Sequence, residues 1–155
     1  MKAFIRNTIG ALSIGLFTTF SAQAALTEQH IAIYNQAAAG DEEQVKPALH
    51  IFEQLIQEDG ATSLTLVYLG SKQTLQGRDA WMPWTAMKHV EKGLASIDKG
   101  LTLLASNHTT IEQQPRYMGL SETYLARALA ASTYSSLPDM FNHFERGYDL
   151  FLELL

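Results

Sequence analysis

The chain has 155 residues, with 16 acidic and 11 basic side chains, five histidines and a formal charge of −5. That length supports one domain with a real core, and the acidic balance argues against the clustered Lys and Arg that a nucleic-acid or anionic-lipid surface requires. Cysteine is absent, so there are no disulfides or thiol nucleophiles and packing alone must hold the fold.

Lys2 and Arg6 precede a largely apolar run of 13 residues over 8–20, and Ala22-Gln23-Ala24 has the small-x-small form of a cleavage site. Residues 1–24 therefore read as a bacterial export signal and 25–155 as the mature, periplasmic domain. The run falls short of the roughly 20 residues a comfortable membrane span needs, which sets a permanent N-terminal anchor aside. Removing Lys2 and Arg6 leaves 155 − 24 = 131 residues with 16 acidic and 11 − 2 = 9 basic side chains, a charge of −7. No later segment is long and apolar enough to span a bilayer.

From residue 25 onward, glycine, proline and polar clusters divide the chain into six stretches that read as helices. Thr27 caps the first, over 27–39, with Ile31, Tyr34 and Ala38 spaced three and four apart, and Gly40-Asp41 closes it. The second settles from Val45 or Pro47 to Glu58 with Ala48, Phe52, Leu55 and Ile56 inward; Pro47 belongs in its first turn, where no amide donor is missed. The third, over 62–76, carries two patterns. Leu64, Leu66 and Tyr68 alternate as in a strand, whereas Leu64, Val67, Ser71 and Leu75 share a helical face. No partner strand exists elsewhere, so helix is the expectation.

The fourth stretch, over 83–104, has the cleanest period: Trp84, Met87, Val90, Leu94, Ile97, Leu101 and Leu104 step by three and four. Gly93 and Gly100 lie inside it, each costing about 1 kcal/mol relative to alanine. Either Gly93, Ser96 and Gly100 form a strip into which a neighbouring helix presses, or they are tolerated surface glycines. After a polar loop over 106–114, Pro115 is expected to open a fifth helix, with Tyr117, Leu120, Tyr124 and Ala131 on one side. Pro138 is expected to start the last, where Phe141, Phe144, Tyr148, Phe151 and Leu155 make an aromatic stripe. That stripe docks on the body or is covered by a second molecule, which makes a homodimer through the C-terminal helix an expectation. The fold class is thus all-α, about six helices as stacked antiparallel hairpins.

Gly40-Asp41 and Gly77-Arg78-Asp79 lie 77 − 40 = 37 residues apart, and Pro47 and Pro83 lie 36 apart. Helix-turn-helix repeats have periods of this size. Tyr68-Leu69-Gly70, seven residues before Gly77, resembles the first helix of a tetratricopeptide repeat, and Ala38-Ala39-Gly40-Asp41 resembles the turn of the preceding one. The resemblance covers residues 27–104. It implies a binding protein that takes a protein or peptide along a concave surface, with no catalysis.

Motif chemistry points the same way. His30, His50, His89, His108 and His143 are never three or four residues apart, and none has a glutamate three residues before it, so the usual helical metal arrangements are missing. His50 with Glu53, and Asp139 with His143, read as helix-face hydrogen bonds. No nucleophile elbow or phosphate-binding glycine loop occurs. No enzyme, cofactor or metal is expected. The segment 77–84 combines Trp81, Trp84, Met82, Arg78 and Asp79 at an inter-helix turn, and Trp and Arg dominate binding hot spots. In one reading Tyr68, Lys72, Arg78, Asp79, Trp81, Trp84 and Lys88 form a contact site for a protein or peptide of the cell envelope, with Arg78 taking a carboxylate. In the other, the expected one for Trp84 in particular, the tryptophans pack into the core and Arg78 pairs with Asp79 as a local cap. The alternative to an adaptor is a carrier whose aromatic and methionine side chains line an apolar cavity for a small hydrophobic ligand.

Overall fold

Thr27 and His30 open the first helix with a reciprocal pair of bonds: Thr27 Oγ1 accepts from the His30 amide and His30 Nδ1 from the Thr27 amide, both at 3.3 Å. This start lies near the beginning of the computed structural model, which describes residues 25–155; the expected export segment over 1–24 falls outside the described residues. Six helices follow: α1 Glu28–Ala38, α2 Val45–Asp59, α3 Ser63–Arg78, α4 Pro83–Ser106, α5 Glu122–Ser136 and α6 Phe144–Leu152. Between α4 and α5 lies a small antiparallel hairpin, β1 Arg116–Tyr117 and β2 Leu120–Ser121. The fold is all-α. Consecutive helices pair, α1 with α2, α3 with α4 and α5 with α6, and α3 also packs on α1, α2 and α5.

That central position explains why the third stretch carries no clean period. Twelve of the 16 residues of α3 are buried, so it has no solvent face for a polar stripe to mark. Its helical conformation is secured at the start by a second reciprocal cap, Thr62 with Thr65, and by Glu122 Oε1, which accepts the Leu64 amide at 3.3 Å. A carboxylate at a helix N-terminus also complements the helix dipole. Tyr68 stacks on Phe52 at 5.1 Å, and Tyr34 meets both rings edge-on, tying α1, α2 and α3 together.

The glycines inside α4 mark a close helix seam. A methyl group on Gly93 would lie 2.5 Å from the Gly70 carbonyl oxygen, one on Gly100 would lie 2.8 Å from that of Ser63, and one on Gly77 would lie 2.9 Å from that of Ala86. The contacts run antiparallel, Ser63 with Gly100, Gly70 with Gly93, Gly77 with Ala86. Beside them Ser96 Oγ donates to Gln73 Oε1 at 2.9 Å.

Two boundaries differ from expectation. The fifth helix starts at Glu122, not at Pro115, because Met118 (φ 52°) and Gly119 (φ 80°) adopt the left-handed turn of the hairpin, which a right-handed helix cannot contain. Gln114 replaces the missing helical turn: its Oε1 accepts the Thr123 amide and its Nε2 donates to the Thr109 carbonyl, while Ser121 caps α5. The last helix starts at Phe144, not at Pro138, since Asp139–Phe141 forms a 3-10 turn that ends on left-handed Asn142. α6 then docks by a narrow strip, Gly147 and Leu150, with Gly147 pressed on Ala131 and Ser135 of α5. Phe144, Tyr148, Phe151, Leu152 and Leu155 remain exposed. Tyr134, Asp98 and Arg146 lock α4, α5 and α6: the tyrosine hydroxyl donates to Asp98 Oδ1 at 2.5 Å, Arg146 Nη1 meets the same oxygen at 2.6 Å, and the guanidinium lies over the Tyr134 ring.

Candidate functional site

The turn from α3 to α4 is short because Gly77 and Arg78 end α3 and Pro83 restarts the chain as the first residue of α4. The seven residues singled out around it divide in two. Tyr68 and Lys72 lie in the core, away from the surface. Arg78 and Asp79 pair with each other side-on, Nε to Oδ1 at 2.7 Å and Nη2 to Oδ2 at 3.3 Å, and this pairing raises the Arg78 pKa. Trp81 and Trp84 are 89% and 68% exposed, contrary to the core position that the α4 period gives Trp84 and to the reading that packs Trp81 under the turn. Lys88, one turn beyond Trp84, is exposed as well.

The α3–α4 register accounts for the tryptophans. Gly77, the next-to-last residue of α3, already faces Ala86 and Val90, so α3 has ended before Trp84 is reached. The apolar stripe of α4 is buried at Val90, Leu94, Ile97 and Leu104, half-buried at Leu101 and uncovered before Val90. Beneath the turn, a shallow depression of about 350 Å³ gathers Asp79, Trp81 and Met82 with Val45, Lys46 and His89.

Lys72 is the unusual member of the set. Its side chain is fully buried and its Nζ has no hydrogen-bond partner among the described residues. Burial pushes its pKa down to about 8, with Asp79 opposing the shift and Arg78 adding to it. Buried in α3, Lys72 does not join Arg78 and Lys88 at the surface.

A larger feature escaped the sequence. A cleft of about 650 Å³ opens between α1, α3, α4, α5 and the segment after α5. Leu75, Val90, Leu129 and Phe141 supply apolar wall, while Met87 and Met140 line it and are exposed. Its polar lining includes the hydroxyls of Tyr34, Ser71 and Thr133, with Thr133 Oγ1 2.7 Å from Ser71 Oγ and 2.9 Å from the Leu129 carbonyl oxygen. Burial raises the Tyr34 pKa far above its ordinary value. The lining comes from four separated segments, so no spacing in the chain announces it; the one signal was Ser71 and Thr74 on what should be an apolar face.

Among the described residues, no three His, Asp or Glu side chains come close enough to hold a metal ion, and no helix is long and apolar enough to cross a membrane. Comparison with protein-family models, curated proteins and solved structures found no match to this chain.

Proposed function

We propose that the protein is a non-enzymatic, tetratricopeptide-like binding module of the periplasm that recognises a protein or peptide partner in the cell envelope. The observation that carries this reading is the exposure of Trp81 and Trp84 at one turn. Tryptophan offers the largest apolar area of any side chain at little entropic cost on binding, and at about 25 cal/mol per Å² the area left in water is expensive unless a partner removes it. The paired helices, with α1 and α3 starting 63 − 28 = 35 residues apart, support the repeat relationship, and the export-type N-terminus supports the location. The exposed aromatic stripe of α6 supports self-association.

Replacement of both tryptophans by alanine is expected to leave the unfolding midpoint nearly unchanged, because exposed substitutions stay within about 0.5 kcal/mol, while partner capture from envelope extracts is lost. A photoreactive residue at position 84 should trap one discrete partner that the same residue at Lys99 does not. Equal recovery by the folded double variant would remove the site. For self-association, sedimentation should show a mass that rises with concentration; a constant monomer mass would refute it.

A further inference from the structure

We propose that the cleft between α1, α3, α4 and α5 is a second, internal binding site for an uncharged amphiphile: an apolar chain that ends in a single hydroxyl. Its volume of about 650 Å³ lies within the roughly 300–1,000 Å³ of small-molecule sites. Charge selects the head group. Among the described lining residues Arg78 alone has a formal charge, and Asp79 already neutralises it through its Nε–Nη2 edge. An anion would have to share that guanidinium with Asp79, and a cation would find no free carboxylate. Burying either ion there is costly.

The hydroxyl chain selects a group that both donates and accepts. Thr133 has one proton for two acceptors, Ser71 Oγ and the Leu129 carbonyl. Tyr34, whose hydroxyl lines the cleft with them, can turn a lone pair to a ligand. It can equally turn its O–H there. An alcohol satisfies either state, whereas a carboxylate only accepts and an ammonium only donates. An extended peptide fits poorly, since its backbone groups need partners and the helical walls have already bonded theirs.

Calorimetric titration of the purified protein with dodecanol, dodecanoate and dodecylammonium, all below micellar concentrations, tests the site. Dodecanol should bind 1:1, about tenfold more tightly than either ion. Ser71→Ala or Thr133→Val should weaken dodecanol about fivefold, the value of one hydrogen bond, and leave dodecanoate unchanged. Ser132→Phe, at an exposed lining position, should abolish binding, and Trp81→Ala/Trp84→Ala should not affect it, so the surface reading and this one fail separately. Absence of saturable binding, equal affinity for the three heads, tighter dodecanoate, or tighter binding of an apolar peptide with a free C-terminus would each overturn the proposal.

Discussion

Gly93→Ala should destabilise the protein by about 3 kcal/mol, although alanine is the better helix former. In an isolated helix the substitution gains about 1 kcal/mol. In the fold the new methyl group would lie 2.5 Å from the Gly70 carbonyl oxygen, 2.7 Å from Thr74 Cγ2 and 2.9 Å from the Thr74 amide nitrogen. Two of those three atoms are backbone and cannot rotate away, so α3 and α4 must separate. Separation loosens the Ser63–Gly100 and Gly77–Ala86 approaches along the same seam. Overpacking costs about 1–3 kcal/mol where side chains can adjust and more where they cannot; with the propensity gain subtracted, about 3 kcal/mol remains. For a domain of this size that lowers the thermal midpoint by roughly 10 °C. A peptide spanning 83–106 should gain helicity from the same change. If the protein's midpoint holds or rises, the seam is not where the helices meet.

How much of this was legible follows from what each residue faces. The period of α4 was readable from Val90 to Ile97 because one partner, α3, runs beside that stretch. It misled at Trp84 because periodicity records which side of a helix is apolar and cannot record where the neighbouring helix stops. α3 carried a strand-like alternation beside its helical face since neighbours surround it. Tyr117, Leu120 and Tyr124 continue a helical spacing backward through Met118 and Gly119, yet a left-handed turn intervenes; spacing carries no information about φ. The tryptophans and the Arg78–Asp79 pair were readable as residues, but their exposure depends on register. An apolar cavity was open as an alternative, but its place and lining were not readable, being assembled by packing from Tyr34, Ser71 and Thr133, which lie up to 99 positions apart (133 − 34).

Lys72→Met should stabilise the fold by about 2–3 kcal/mol at pH 7. The amine sits fully buried with no hydrogen-bond partner, and its pKa falls from an ordinary 10.5 to about 8. Each pKa unit corresponds to about 1.4 kcal/mol, and methionine keeps an unbranched apolar stem of similar length without the charge. Between about pH 8 and 10.5 the unfolded chain holds a proton at this site that the folded chain has released, so wild-type stability must rise with pH across that window. The penalty is fully present below pH 8 and gone above 10.5. Tyr34, Tyr68 and Tyr134 act in the opposite sense. Burial raises all three, Tyr68 to about 12, so above about pH 10 the unfolded state loses protons that the folded state keeps and stability falls. Urea unfolding should therefore find the wild type most stable near pH 9–10, and the Lys72→Met chain without the rise that leads to that crest. A wild-type profile that is flat from pH 7 to 10, with no gain from methionine, would mean that the ammonium is solvated in the folded protein and that α3 is less enclosed than its neighbours make it.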